Sequence, residues 1–237
     1  MGEKQVIYTV SDIHGYSFKR FTAFLKQVGF GESDELFILG DIIDRGTDGA
    51  KYLEWLLYQP NVRLILGNHE AMMLRCGFVF DDAYEALSRL DSDQMNELYR
   101  WLGNGGSPTI KGLSSLSPET RSDILTYLVE APLYEEITVR GRSFVLAHSG
   151  LGGYRREKAL SEYTPRELLW TRPALDTVYK EDFTVIHGHT PTWYYGEQYR
   201  GRIIKTDTWI NIDVGAAGGA HPMLLRLDDM KELYAEA

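Results

Sequence analysis

Three stretches of the chain share one plan: VIYTVSDIHG at residues 6–15, LFILGDIIDRG at residues 36–46 and VRLILGNHE at residues 62–70. Each is a short apolar run, the first of them β-branched at Val6, Ile7, Thr9 and Val10, that breaks into Asp, His, Asn and Gly. Runs of that length suit strands buried on both faces. Between the first two, Phe18, Phe21, Leu25 and Val28 recur at helical spacing, with Gly29 where a C-cap is expected. A second helix over 49–58 ends before Pro60. This β-α-β-α-β alternation predicts a mostly parallel sheet with crossover helices. In such sheets, ligands bind in the crevice beyond the carboxyl ends of the strands, which is where the three polar clusters fall.

Further along, residues 71–130 are helix-rich. Met95, Leu98, Tyr99 and Leu102 fall on one helical face, with Gly103 just past its end. Ser117-Pro118-Glu119 reads as an N-cap, a first-turn proline and an acidic first turn, and Ile124, Leu125 and Leu128 continue that helix. Residues 112–117 between them read as a surface loop. Strand signals return at 137–139, 144–147 and 184–186, and residues 202–205, 209–212 and 223–227 suggest a closing antiparallel set. Two more polar clusters follow strands here: His148-Ser149-Gly150 and His187-Gly188-His189-Thr190-Pro191.

The chain has 237 residues, 43% hydrophobic and 25% charged, so one large α/β domain can bury its core without disulfides. Its one cysteine, Cys76, allows no intrachain bridge and fits a reducing compartment as a small packing residue. A net charge of −9 lacks the electrostatic footprint of a nucleic-acid binder. No apolar stretch approaches the length of a membrane span and no leader is visible, so the cytoplasm is the expected location and no membrane is expected as partner.

The five clusters offer carboxylate, imidazole and amide oxygen and no thiolate. That donor set suits Mn²⁺, Fe or Zn²⁺ at a reactive centre better than a structural zinc site. In extended chain, side chains at i and i+2 point the same way, so Asp12 and His14 can hold one ion together. Taken singly, each cluster has an ordinary reading: Asn68 can be a helix N-cap, and Asp41 and Asp44 can be turn residues. All five converging at strand ends point to metal chemistry.

The sequence resembles the calcineurin-like metallophosphoesterases, and more narrowly the phosphoprotein phosphatase superfamily in its compact bacterial and lambda-phage branch. The matching blocks are Asp12-Ile13-His14-Gly15, Gly40 to Gly46, Gly67 to Glu70, His148 with Gly150, and Gly188-His189-Thr190-Pro191. Weaker matches lie at residues 101–106, 169–172 and 212–216. The chain departs from the family's usual glycine at Ser11 and from its small residue at Ser149, which implies backbone or supporting effects.

The resemblance implies an α/β fold: an αββα sandwich of two mixed sheets flanked by helices, with a helical insertion at about 71–130, as one domain over residues 1–237. It also implies two divalent metal ions, Mn²⁺ first with Fe or Zn²⁺ as alternatives. Asp12 and His14 would hold one ion, Asp41 would bridge, and Asn68, His148 and His189 would hold the other. The pattern places the ligand before Thr-Pro, which selects His189 over His187. Arg45, Asn68 and Arg172 would bind the substrate phosphate. His69 would be the general acid, with Asp44 orienting it and favouring its protonated form. The implied reaction is direct attack of a metal-bridging hydroxide on a phosphate ester. The substrate would be a phosphorylated serine or threonine protein, with dual specificity possible, or a small phosphate ester; the alternative is a dinucleoside polyphosphate such as diadenosine tetraphosphate. Residues 193–199 carry four aromatics, read here as packing under a loop rather than stacking on a base.

Overall fold

A computed structural model describes residues 5–80 and 90–235 of the chain. One sheet runs in the order β10 (Lys231–Tyr234), β9 (Met223–Arg226), β1 (Ile7–Val10), β2 (Glu35–Ile38), β3 (Val62–Leu64). The other runs β4 (Tyr134–Val139), β5 (Arg142–Ala147), β6 (Thr184–His187), β8 (Trp209–Asn211), β7 (Ile204–Lys205). Strands β1, β2 and β3 are parallel, as are β5, β6 and β8, and the outer pairs are antiparallel. Both sheets are therefore mixed, and each sends three parallel strands toward one end of the sandwich.

The period-two alternation of each strand explains the layering. Phe37, Leu39, Phe144, Leu146, Ile186, Ile210, Met223 and Leu225 fill the space between the sheets. Their neighbours Tyr8, Val10, Leu36, Ile38 and Leu64 face the opposite way. They meet helices α1 (Phe18–Gln27), α2 (Gly49–Leu56) and α3 (Asn68–Arg75) through Phe21, Leu53 and Met72. Val145, Val185 and Trp209 cover the outer face of the second sheet under Leu151, Tyr163 and Leu168. That strands buried on both faces lack polar alternation is why they read as continuous apolar runs.

Residues 90–130 form α4 (Ser92–Gly103), α5 (Ser107–Ser114) and α6 (Pro118–Glu130). Ser117 caps α6 as expected, accepting from the Thr120 amide. Three readings are corrected. The stretch 112–117 is not simply loop, because α5 runs through Ser114, started by Pro108 in its first turn. The buried face of α4 is Leu98 and Trp101, while Tyr99 is 63% exposed. The indole of Trp101 turns inward to reach Asp44, a tertiary demand that apolar spacing does not register. The C-terminal strands do not form one antiparallel set: β9 leaves β7 and β8 and pairs with β1 in the other sheet. Strand β10, Lys-Glu-Leu-Tyr, lacks a strand pattern; it is an edge element held by its hairpin to β9 and by an ion pair from Glu232 to Lys205 at 2.6 Å.

Phe37 is 1% exposed in the inter-sheet layer. Phe37→Ala is expected to lower unfolding free energy by about 3–5 kcal/mol, the usual range for a buried phenylalanine truncation. Denaturant titration measures it, and a loss under about 1 kcal/mol would mean that this layer is loosely packed.

Candidate active site

The ends of the parallel strands from both sheets meet. β1 leads into Ser11 and Asp12, β2 into Gly40 and Asp41, β3 into Gly67 and Asn68, β5 into His148 and β6 into His187 to His189. The Gly188 amide continues the β5–β6 pairing by donating to the His148 carbonyl at 2.8 Å, and the His189 amide crosses to the other sheet by donating to Asp12 Oδ2 at 2.8 Å. A side chain at Gly188 would collide with Ser11 and Asp12. Gly40 has φ +79°, and a Cβ there would lie 2.5 Å from Gly67 Cα and 2.8 Å from His148 Nδ1. Both glycines are required by close backbone approach.

The backbone is also bent to aim side chains. Among the described residues, the non-glycine positions with positive φ are Asp12, His14, Asp41, Asp44, Arg45, His189, Arg140 and Met230. The last two sit in hairpin turns; the other six are in this cluster. A left-handed conformation costs an L-residue on the order of 1 kcal/mol or more, so six of them together mean that the fold holds them against their preference.

The acceptor atoms converge. The His14 ring donates from Nδ1 to the Ile43 carbonyl at 3.0 Å, which turns Nε2 toward Asp41 Oδ2 at 3.6 Å and Asp12 Oδ1 at 3.8 Å. The His148 ring donates from Nδ1 to the Leu39 carbonyl at 2.8 Å, and its Nε2 lies 3.5 Å from Asp41 Oδ1 and 2.8 Å from Asn68 Oδ1. His189 Nδ1 is 2.8 Å from the same Asn68 oxygen. Asp12 Oδ1 and His189 Nε2 are buried without a hydrogen-bond partner. Two triads have ligand atoms close enough to share an ion: His14, Asp41 and His69, and Asp41, His148 and His189. Asp41 belongs to both. Carbonyl partners that fix the imidazole tautomer and a carboxylate with one oxygen toward each group are what a two-ion site needs.

The electrostatics of the cluster suit a bound cation. Burial raises the carboxyls of Asp12 and Asp41, and the charges of Asp12 and Glu70 push Asp41 well above the usual carboxylate range. Burial pushes Asp213 up as well, with the charge of Asp12 next in order. Burial lowers the His14 imidazole well below its ordinary value, with His69 and Arg45 adding to the effect, and burial likewise lowers His189. Cations bound among these groups would offset the burial of the carboxylates and favour the same neutral imidazoles that burial already favours. His187 is buried against the Trp209 ring, its centroid 5.3 Å away, and belongs to neither triad; burial lowers it to about 4.

His69 and Asp44 form the second feature. His69 Nδ1 lies 2.6 Å from Asp44 Oδ2. Asp44 also accepts from Trp101 Nε1 at 2.9 Å and from Thr109 Oγ1 at 2.6 Å. The insertion thus clamps Asp44 from α4 and α5. It also fixes Arg45, whose amide donates to the Gly105 carbonyl at 2.9 Å. The guanidinium of Arg45 reaches Nε2 of both His14, at 3.0 Å, and His69, at 3.2 Å. Asp44 orients the His69 ring, while burial and the nearby guanidinium work against its charged form. Burial first, then Arg45, lowers the imidazole to about 3, while burial raises Asp44 to about 6.

Arg172 lies beside the last cluster, at Thr190. Its Nη1 donates to Thr190 Oγ1 at 3.3 Å, and its guanidinium lies 5.6 Å from the Tyr194 ring centroid. Ser149 supports that region: its hydroxyl donates to the Leu168 carbonyl and accepts from the Thr171 amide. Ser11, the other departure, is hydrogen-bonded to Asp12 Oδ2. The expected N-cap at Asn68 is displaced by one residue: Gly67 is the cap and Asn68 opens α3.

Glu70, Thr109, Trp101 and Asp213 carry roles that sequence reading left unassigned. Glu70, fully buried, accepts from the amides of Gly67 at 3.1 Å, Asp41 at 2.8 Å and Ile42 at 2.9 Å. A glutamate at the third position of a helix, able to turn back on its own cap, was the available signal. Thr109 had none.

Residues 6–207 match the family described as Calcineurin-like phosphoesterase, and the chain belongs to that family. Its members are metal-dependent phosphoric ester hydrolases with a dinuclear divalent-metal centre, and so this chain is an enzyme of that class. It is 29% identical over 213 residues to "Serine/threonine-protein phosphatase 2" of Escherichia coli (strain K12), covering 89% of this chain and 87% of that one. It is 36% identical over 100 residues to "Bis(5'-nucleosyl)-tetraphosphatase, symmetrical" of Erwinia tasmaniensis; that match spans 40% of this chain and only 36% of the relative's length. Among solved structures, a "putative diadenosine tetraphosphatase" shares the fold with a TM-score of 0.65 at 18% identity, over 98% of this chain and 93% of that one.

Glu70→Ala would strand three buried amides around Asp41. The expected loss is about 3 kcal/mol or more of unfolding free energy, since each unsatisfied buried donor costs about 1–3 kcal/mol. Glu70→Gln should recover part of it. Equal stability of Glu70→Ala and the parent, by chemical denaturation, would show that these amides find other acceptors.

Proposed function

We propose that this calcineurin-like phosphoesterase is a phosphomonoesterase acting on phosphoserine and phosphothreonine in proteins, with two divalent ions, Mn²⁺ first, held by Asp12, His14, Asp41, Asn68, His148 and His189. The observation that carries the reading is the clamped Asp44–His69 pair beside the Asp41 cluster. An alkoxide from serine or threonine is a poor leaving group and needs a proton, and an oriented imidazole is suited to deliver it. When bound, the two ions would polarise the phosphate and activate a water as nucleophile near neutral pH.

The chain's own groups divide the remaining work. Arg45 reaches His14 and His69 and Arg172 reaches Thr190, and planar guanidinium groups bind phosphate oxygens in pairs and oppose charge growing on them. Asn68, at the first turn of α3, adds an amide beside the phosphate. A phosphate that draws Arg45 off His69 Nε2 removes the largest charge opposing protonation of that ring and brings negative charge next to it. Both effects favour the imidazolium. Asp44 keeps Nδ1 engaged, so the proton available to the leaving oxygen is on Nε2.

The alternative, hydrolysis of a dinucleoside polyphosphate, draws on one specific observation. Trp193 and Tyr194 are 40% and 63% exposed, and Tyr194 lies under Arg172. The loop reading of residues 193–199 therefore holds only for Tyr195, whose hydroxyl donates to the Pro173 carbonyl, and for half-buried Tyr199. Exposed aromatics there can stack on a base. Side-by-side turnover of a phosphothreonine peptide and diadenosine tetraphosphate tests the choice: the proposal expects the peptide to have the higher kcat/KM, and a reversed order contradicts it.

His69→Asn is expected to lower kcat for an alkyl phosphate by about 10²–10⁴-fold, the scale of general-acid catalysis, and to cost p-nitrophenyl phosphate far less. Metal content should stay at two ions per chain. Because His69 Nε2 is also 3.7 Å from Asp41 Oδ2, a fall to one ion would make His69 a ligand instead. Asp41→Asn should lose both ions by elemental analysis, and retention of two would remove Asp41 from the bridge.

A further inference from the structure

A cavity of about 670 Å³ opens beside Asn68, between α3, α4 and the short helix α7 (Pro165–Leu169). Asn68, Met72 and Arg75 line it from α3, Arg100 from α4, and Arg166 and Trp170 from the end of α7. The positions 68, 72 and 75 in α3 follow i, i+4, i+7, one stripe of the helix. That stripe runs from the proposed metal ligand to a guanidinium. In a chain of net charge −9, three arginines around one cavity are a local reversal of sign. Glu97 faces two of them, at 3.7 Å from Arg75 and 3.3 Å from Arg100. One carboxylate shared by two guanidinium groups leaves positive charge in excess, and Arg166 adds to it. The side chains of Arg75 and Arg100 are 61% and 54% exposed, so their donors are open to a ligand.

We propose that this cavity is a specificity subsite for carboxylate side chains of a phosphoprotein substrate, about three residues from the phosphorylated one. This rests on the phosphoprotein reading above. Seven residues of α-helix rise about 10 Å from Asn68 to Arg75, which an extended peptide covers in about three residues at roughly 3.3 Å each. Asn68 forms one wall, so a peptide with its phosphate at the Asp41 cluster runs directly into the cavity. Half-buried Ala71 and the exposed edge of Trp170 offer apolar surface for the peptide's methylenes, and the arginines offer planar forks matched to carboxylate. The alkyl stem of a glutamate and its charged head fit that lining better than a bare anion does.

The test compares two phosphoserine peptides, with Glu or with Ala at the third position on both sides. The expected kcat/KM ratio, Glu over Ala, is about fivefold or more at low salt, carried mainly by KM, and falls toward one at high salt as exposed charges are screened. In Arg75→Ala/Arg100→Ala/Arg166→Ala the ratio should fall to about one, measured against the Ala peptide on the same preparation. The charge-preserving triple Lys variant should keep most of the discrimination. A parent ratio near one, or a ratio unchanged in the triple Ala variant, overturns the subsite and leaves the phosphoprotein reading standing. Turnover of diadenosine tetraphosphate with neither peptide hydrolysed overturns the phosphoprotein reading, and the subsite falls with it.

Discussion

The structure depends on one constraint: carboxylate, imidazole and amide acceptors are buried face to face around Asp41. Nδ1 of His14 and of His148 each donates to a backbone carbonyl, which turns Nε2 toward Asp41 and its neighbours. Buried acceptors that face one another repel, and cations held among them would relieve that repulsion. The surrounding chain is organised to hold it. Left-handed backbone at six of these residues, close backbone contacts at Gly40 and Gly188, and the Glu70 carboxylate gathering the amides of the Asp41 loop all resist relaxation.

The two-sheet architecture makes the cluster possible. Each sheet supplies three parallel strands, and the apolar layer between them sets the carboxyl ends side by side, so that Asp12, Asp41 and Asn68 from one sheet meet His148 and His189 from the other. A single sheet would place those residues in a row rather than around a point. The helical insertion adds function to this frame: Trp101 and Thr109 fix Asp44, Gly105 fixes Arg45, and α4 supplies Arg100 to the neighbouring cavity. His69, Arg45 and the neighbouring cavity thus share one structural support, the helical insertion.

Much of this was legible in the sequence because strand ends and metal donors are local signals. Asp12, His14, Asp41, Asn68, His148 and His189 each sit directly after an apolar run, and the structure brings all six together with His69, Asp44 and Arg45. What was not legible depends on tertiary partners. The inward face of α4 is set by the bond from Trp101 to Asp44, not by apolar spacing. Thr109 lies in a helix that reads as unremarkable sequence. Strand β9 crosses to the first sheet because β1 has a free edge there, and β10 exists only as its hairpin partner. Burial raises Asp44 against the hydrogen bonds of Thr109 and Trp101 and lowers His69 together with Arg45, and sequence proximity reports none of these partners.

The central claim is that Asp41 joins two cations. Crystals of the protein grown with Mn²⁺ and measured at the manganese absorption edge test it most directly. The account predicts two anomalous peaks about 3.5–4 Å apart, one beside Asp12 and His14, the other beside Asn68, His148 and His189, with one Asp41 oxygen toward each. A single peak, or two peaks that Asp41 does not touch, would contradict it.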